Sequence, residues 1–148
     1  MKAKIMPPTY FMALLLLSVA FHFIFPIFKL VSSPYNYIGI LFIAFGIVLN
    51  LWADSLFKKK QTTVKPHEMP NSLIDYGPFK ISRHPMYLGM LSIIFGAAFF
   101  LGSISSLVFS ILFVIIAESL FIPMEEKNLE KRFGKRYAGY KRRVRRWI

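Results

Sequence analysis

Arg83, His84 and Tyr87 surround Pro85 in the segment Y-G-P-F-K-I-S-R-H-P-M-Y-L-G, Tyr76 to Gly89, and three glutamates follow at Glu118, Glu125 and Glu126. These are groups that bind anions, hold amines or hydroxyls, and move protons. Proline suits the first position of a helix, where its missing N–H costs nothing. The residue before it is pushed out of the helical region. The spacing therefore predicts a helix that starts at Pro85. Its first turn has unpartnered N–H groups and a partial positive charge, which together favour an anionic group. Arg83 and His84 add donors beside it.

A small ligand with a carboxylate, a cation and an aromatic base suits this arrangement. The helix start holds the carboxylate, with His84 or a loop N–H assisting. Glu125 or Glu126 meets an amine or a ribose hydroxyl, and Tyr87, Phe79, Leu73 and Ile74 pack the flat ring. S-adenosylmethionine carries these groups, but spacing alone does not single it out.

The elements that position these residues are apolar. The chain of 148 residues has room for one domain; it is 55% apolar yet carries a net charge of +12, with the two properties segregated along its length. That is the pattern of a multispanning membrane protein with basic loops on one side, and it needs no nucleic acid partner. The absence of cysteine excludes disulfides, thiolate metal sites and cysteine nucleophiles, and the scattered His22, His67 and His84 argue against zinc.

In chain order, Tyr10 to Phe28 is long enough to cross a bilayer core. A basic start and S-V-A at Ser18–Ala20 resemble a signal peptide, but aromatic residues continue beyond it, so a retained span is favoured. His22 within it reads as a hydrogen-bonded packing residue. Tyr37 to Phe57 is a second span, with Asn50 and Asp54 near its end. Residues 58–84 form a loop that is long for a compact membrane domain, and its buried-type residues Leu73, Ile74, Phe79 and Ile81 argue for order.

Met86 to Ala117 is thirty-two residues without a charge. One helix of that length reaches about 48 Å against about 30 Å of hydrocarbon, so it must fold back, with Gly102-Ser103 as the turn. The expected spans are 85–101 and 104–122, the first of them short for a full crossing. Gly89, Ser92 and Gly96 give it a face of small residues that permits close helix approach. Glu118 and Glu125, seven apart, share a face if the helix survives Pro123. From 125 to 146, Leu129, Phe133, Tyr137, Tyr140 and Val144 recur at helical spacing among Lys and Arg. This predicts an amphipathic helix on the membrane surface or packed against the loop.

The fold class expected is an all-α integral membrane protein of about four transmembrane helices. It would have a tight C-terminal hairpin, an ordered loop and an amphipathic tail, all in a single domain. The basic loop and tail place both termini in the cytosol, where every polar feature then converges.

Three elements occur in order: G-P-F-K-I-S-R-H-P-M-Y-L-G; E-E ahead of E-K-R-F-G-K-R-Y; and Y-K-R-R-V-R-R-W-I. From roughly Asn50 to Ile148 the chain resembles the isoprenylcysteine carboxyl methyltransferases and their relatives, the phospholipid N-methyltransferases. The resemblance implies an integral membrane enzyme that takes S-adenosylmethionine from the cytosol and a lipid or other lipophilic acceptor from the bilayer. It assigns cofactor contacts to Asn71, Ser72, Leu73 and Ile74, to Phe79, to His84, Pro85, Met86 and Tyr87, and to Glu125. The acceptor-contacting arginine of the eukaryotic carboxyl methyltransferases falls at Phe121, and the histidine that opens their cofactor segment is Asn71 here. A prenylcysteine carboxylate is therefore not supported as the acceptor. An amine acceptor would need deprotonation, for which Glu118, Glu126 or Asp54 are candidates. Tyr137 and Tyr140 read as packing residues, and Arg145 and Arg146 as membrane-surface anchors. Two alternatives are an NADPH-dependent enzyme like the sterol reductases and a non-enzymatic adaptor whose basic tail binds anionic lipid.

Overall fold

The computed structural model describes residues Met6 to Ile148. Five helices account for most of the chain: α1 Pro7–Ile24, α2 Ile38–Lys59, α3 Pro85–Leu101, α4 Ile104–Ile116 and α5 Ile122–Arg143. Each break has a local cause. Pro7 and Pro8 open α1, which places the helix a turn earlier than the apolar run suggests, and it stops just before Pro26. Pro85 opens α3, as the proline rule predicts. Gly102, in the left-handed region at φ 76°, ends it at the expected turn.

α3 is the central element and packs against α1, α2 and α4. At 17 residues it rises about 26 Å, less than the hydrocarbon thickness of about 30 Å. Its neighbours shield much of it, so it meets little lipid. α1, α2 and the run beginning at Ile104 are long and apolar enough to cross a membrane.

Pro123 does not break the last run. A wide π-turn, Ala117–Phe121, joins α4 to α5 and takes up one extra residue. That changes the facing of the glutamates. Glu118 lines up with Glu126, eight residues on, rather than with Glu125; both are bound by the same arginine, Arg146. Beyond the bilayer-length stretch, α5 bends at Gly134. Its apolar face, including Leu129, Phe133, Tyr137 and Tyr140, packs together with Val144 just beyond it on Ala53, Leu56, Leu73, Ile74 and Phe79. Of the two placements open to the amphipathic tail, the structure adopts the one against the loop, which is thereby ordered.

Candidate functional site

The start of α3 is tied down by the chain's last residues. Arg83 N–H donates to the Arg145 carbonyl at 3.0 Å, and Ser82 Oγ donates to the Arg146 carbonyl at 3.0 Å. The same Ser82 Oγ accepts from His84 N–H at 3.1 Å. After α5 the backbone becomes extended at Val144, so residues 144–148 lie as a strap across the helix start. The strap brings two side chains to the acidic patch. Arg146 Nη1 donates to Glu118 at 2.6 Å and Nη2 to Glu126 at 2.9 Å, while Trp147 Nε1 donates to Glu118 at 2.6 Å.

Glu126 is the hub of this network. Its carboxylate faces His84 Nε2 at 3.3 Å, Arg83 Nη2 at 3.2 Å, Arg146 Nη2 at 2.9 Å and Lys141 Nζ at 3.6 Å. Burial alone would raise its pKa, but His84, Arg146 and Arg83 hold it well below the usual carboxylate range. His84 is a parallel case. Burial opposes its protonation, yet Glu125 and then Glu126 outweigh burial and push the imidazole up to about 9. Nδ1 of His84 lies 3.5 Å from Glu125, an ion-pair distance too long for a hydrogen bond. The helix start thus carries two cations, Arg83 and His84.

Two narrow cavities flank it, of about 60 Å³ and 40 Å³, well below the ~300–1,000 Å³ usual for small-molecule sites, so a nucleoside-sized ligand has to widen them. One opens on the loop and is walled by Ser72, Leu73, Ile74, Pro70 and Leu129. The other lies toward the helix bundle, between the start of α1 at Met6–Pro8 and the residues Pro85, Met86, Tyr87 and Met90 of α3. Phe57, Val64, Phe79, Arg83 and Glu125 line both. Loop side and bundle side therefore meet at one aromatic wall, one cation and one carboxylate.

A family model described as phospholipid methyltransferase matches residues 35–136, which take in α2, the loop, the α3 hairpin and most of α5. The chain belongs to the phospholipid methyltransferase family. It is a multi-pass membrane methyltransferase, as the R-H-P-M-Y and E-E motifs imply. It is also similar to an uncharacterized protein of Haemophilus influenzae, 36% identical over 63 residues that make up 43% of this chain and all of that protein.

In this methyltransferase, Ser72, Leu73, Ile74 and Phe79 come together at the loop-side cavity, and Phe79, His84, Pro85, Met86 and Tyr87 at the bundle-side one. Glu125 reaches both. Other expected site residues lie elsewhere. Asn71 is exposed, and its amide donates to the Gln61 carbonyl at 3.2 Å. Asp54 pairs with Lys58 at 2.6 Å, outside both cavities. Glu118 and Glu126 line neither cavity and are held by Arg146. Phe121 is buried, edge-on to Tyr10 at 5.5 Å and stacked with Tyr87 at 6.4 Å.

Arg146 differs from its reading as a surface anchor: it is turned inward to two carboxylates. A strap fold-back of this kind has no periodicity to reveal it. The signal that was present is chemical, since three glutamates in a membrane protein need cations close by. Among the described residues no cluster of metal-ligating side chains occurs.

Proposed function

We propose that the chain transfers a methyl group from S-adenosylmethionine to a lipophilic acceptor, with the cofactor lying across the two adjoining cavities and widening them as it binds. The observation that carries this reading is the shared wall at Phe79, Arg83 and Glu125, which links a loop-side chamber to a bundle-side one. Leu73, Ile74 and Phe79 offer apolar faces to the adenine, and Ser72 a hydroxyl beside it. Glu125, 26% exposed and paired only loosely with His84, is the carboxylate free to take a ribose hydroxyl or an ammonium. Asn71 shapes the segment through its backbone N–H, which donates to Thr62 Oγ1 at 2.9 Å.

The fit to this cofactor rests on polar atoms left without partners. Arg83 Nε and Nη1 and His84 Nδ1 are buried and make no hydrogen bond among the described residues; the Tyr137 hydroxyl beside the Arg83 guanidinium, and a ligand or water, are the partners open to them. Bound there, S-adenosylmethionine supplies an electrophilic methyl on a sulfonium. The protein's own contribution is to hold the acceptor in line with that methyl and exclude water; positioning of this kind removes much of a bimolecular barrier. Met86, Tyr87 and Met90 keep the bundle side apolar. Glu126, ionised and saturated with cations, serves as scaffold rather than base, and Glu125 is the better placed proton acceptor if the acceptor is an amine.

Topology follows from charge. The loop and α5 carry the basic residues, so both termini and the loop-side chamber are placed in the cytosol, with the bundle-side chamber opening toward the inner leaflet.

The test is a titration of the protein in lipid nanodiscs with S-adenosylmethionine and, separately, NADPH. Saturable binding of the first, weakened by Glu125→Gln, supports the proposal. Binding of NADPH instead would overturn it in favour of a reductase. Methyl-labelled cofactor added to membranes containing the protein then identifies the acceptor by the lipid that gains label.

A further inference from the structure

We infer that residues 63–70 form a lid over the two cavities, latched shut by Asn128, and that this lid opens to admit a nucleoside-sized ligand. The inference rests on the cofactor reading above and adds to it the wall that moves and the residue that holds it.

Both cavities are too narrow for such a ligand as they stand, so a wall has to give way. Val64 lines both of them, and Thr63, Lys65, Glu68 and Pro70 close the loop-side one from the same stretch. Displacing residues 63–70 therefore widens the two chambers together, at their seam. The walls that face this stretch are Asn128 and Leu129 of α5 on the loop side and the start of α1 on the bundle side.

Of these walls the loop is the least tied. α5 is held by its apolar face and by the ion pairs of Glu126 with Arg83 and Arg146. α1 is held by Leu14 and Tyr10 in the bundle core. Residues 63–70 make a single hydrogen bond to the rest of the described chain, from Asn128 Nδ2 to the Pro66 carbonyl at 2.9 Å. One neutral hydrogen bond favours a closed state by about 2- to 10-fold. The buried Pro66 and Pro70 add to that, so the closed position is preferred without being locked.

Bonds within the loop make it swing as one piece. Thr63 Oγ1 donates to Glu68 at 2.7 Å and accepts from Lys65 N–H at 3.1 Å, and Lys65 Nζ reaches the other oxygen of Glu68 at 2.8 Å. The two ends are clasped at a neck, where Thr62 Oγ1 accepts from the N–H groups of Asn71 and Ser72 at 2.9 and 3.3 Å. A loop braced inside, closed at its neck and fastened at its tip by one contact opens locally, about the neck. Leu73 and Ile74 lie beyond the neck and stay packed on α5 as the floor of the site. Asn128 is a positioning residue in this scheme, acting through the loop.

The chain has no cysteine, so one introduced thiol reports on the lid without interference. In nanodiscs, Leu73→Cys puts a thiol on the buried wall beneath the loop, and Ile74→Cys gives a second reading of that wall. Ala53→Cys puts one in the same core but outside both cavities. With a water-soluble maleimide, adding Asn128→Ala should speed labelling at positions 73 and 74 by about 2- to 10-fold and leave position 53 unchanged. In the cysteine-free protein, Asn128→Ala should make S-adenosylhomocysteine both associate and dissociate faster, with affinity changed less than either rate. A residue that merely touched the ligand would raise the dissociation rate alone. The lid is overturned if Asn128→Ala leaves labelling at 73 and 74 as it was, or speeds all three positions alike, which would mark a general loosening. It is equally overturned if labelling quickens while association of S-adenosylhomocysteine does not, since the loop would then move without being the way in. Should the wild type bind no S-adenosylhomocysteine, the cofactor reading fails on its own, and the labelling rates still decide whether the loop opens.

Discussion

Nε2 of His84 lies 3.3 Å from Oε1 of Glu126, and both side chains are almost wholly out of water. His84 also faces Glu125 at 3.5 Å, the ring of Tyr87, and on its other side the charged Arg83 and Arg146 around the same carboxylate. Its pKa rises from 6.5 to about 9 because the glutamates outweigh burial. A pKa raised on folding means that the folded state holds the proton more tightly than the unfolded chain. The resulting stability is full below about pH 6.5 and is lost as pH rises through about 9. The shift corresponds to about 3 kcal/mol. Unfolding temperature in detergent should therefore fall between neutral pH and pH 9, and His84→Gln should flatten that slope. An unchanged slope in His84→Gln would assign it to other groups.

How much of this site was legible beforehand differs by element. The helix start at Pro85 could be read because proline's φ and its effect on the preceding residue act locally. The apolar spans could be read because bilayer thickness sets a length. Leu73, Ile74 and Phe79 were recognisable as a buried wall because apolar residues in a polar loop must pack on something. The facing of Glu118 was not legible, since a single inserted residue in a π-turn depends on tertiary packing. Nor was Arg146: in a tail with so many basic residues, nothing local distinguishes the one that folds back onto carboxylates.

That inward arginine makes the strap a stabilising element. Arg146 is partly exposed where it meets Glu118, and that half of the contact is worth little in water. The Glu126 half is buried, so Arg146→Ala leaves a carboxylate with fewer counter-charges; His84 and Arg83 still compensate it. A loss of about 1–3 kcal/mol is expected, below the full cost of breaking an isolated buried pair. Pairing the change with Glu126→Gln should cost less than the sum of the two, measured by denaturant unfolding as a double-mutant cycle. Strict additivity would show that the two residues do not interact.

Phe121 invites an obvious engineering step, and the packing argues that it fails. Arginine there would restore the charge found in carboxyl methyltransferases, but the position is enclosed between Tyr10 and Tyr87. An unpaired guanidinium in that apolar cluster costs several kcal/mol. Phe121→Arg should reduce the yield of folded protein and gain no methylation of a prenylcysteine carboxylate, whereas Phe121→Leu should fold. A well-folded Phe121→Arg protein that methylates a prenylcysteine would show that the acceptor half differs from the carboxyl enzymes at this residue alone.

The last prediction concerns the helix that presents the site. α2 and α3 approach so closely that a Cβ on Gly46 would collide with the Gly89 carbonyl oxygen, and one on Gly89 would lie 2.8 Å from the Gly46 carbonyl and 2.7 Å from Asn50 Oδ1. Gly39 and Gly96 repeat the contact two turns away. Small residues at such a crossing let backbones pack without a hydrophobic driving force between them. Gly89 is four residues along from Pro85, so a side chain there displaces the helix start as well as the crossing. Gly96→Leu, two turns further along, acts on the crossing far from the cavities. Both should lower the unfolding temperature, by an overpacking cost of about 1–3 kcal/mol each. Only Gly89→Leu should also weaken S-adenosylhomocysteine binding, because only it moves His84 and Arg83 relative to Glu125. Equal loss of binding in both variants would mean that the site responds to the stability of the whole bundle rather than to the position of the α3 start.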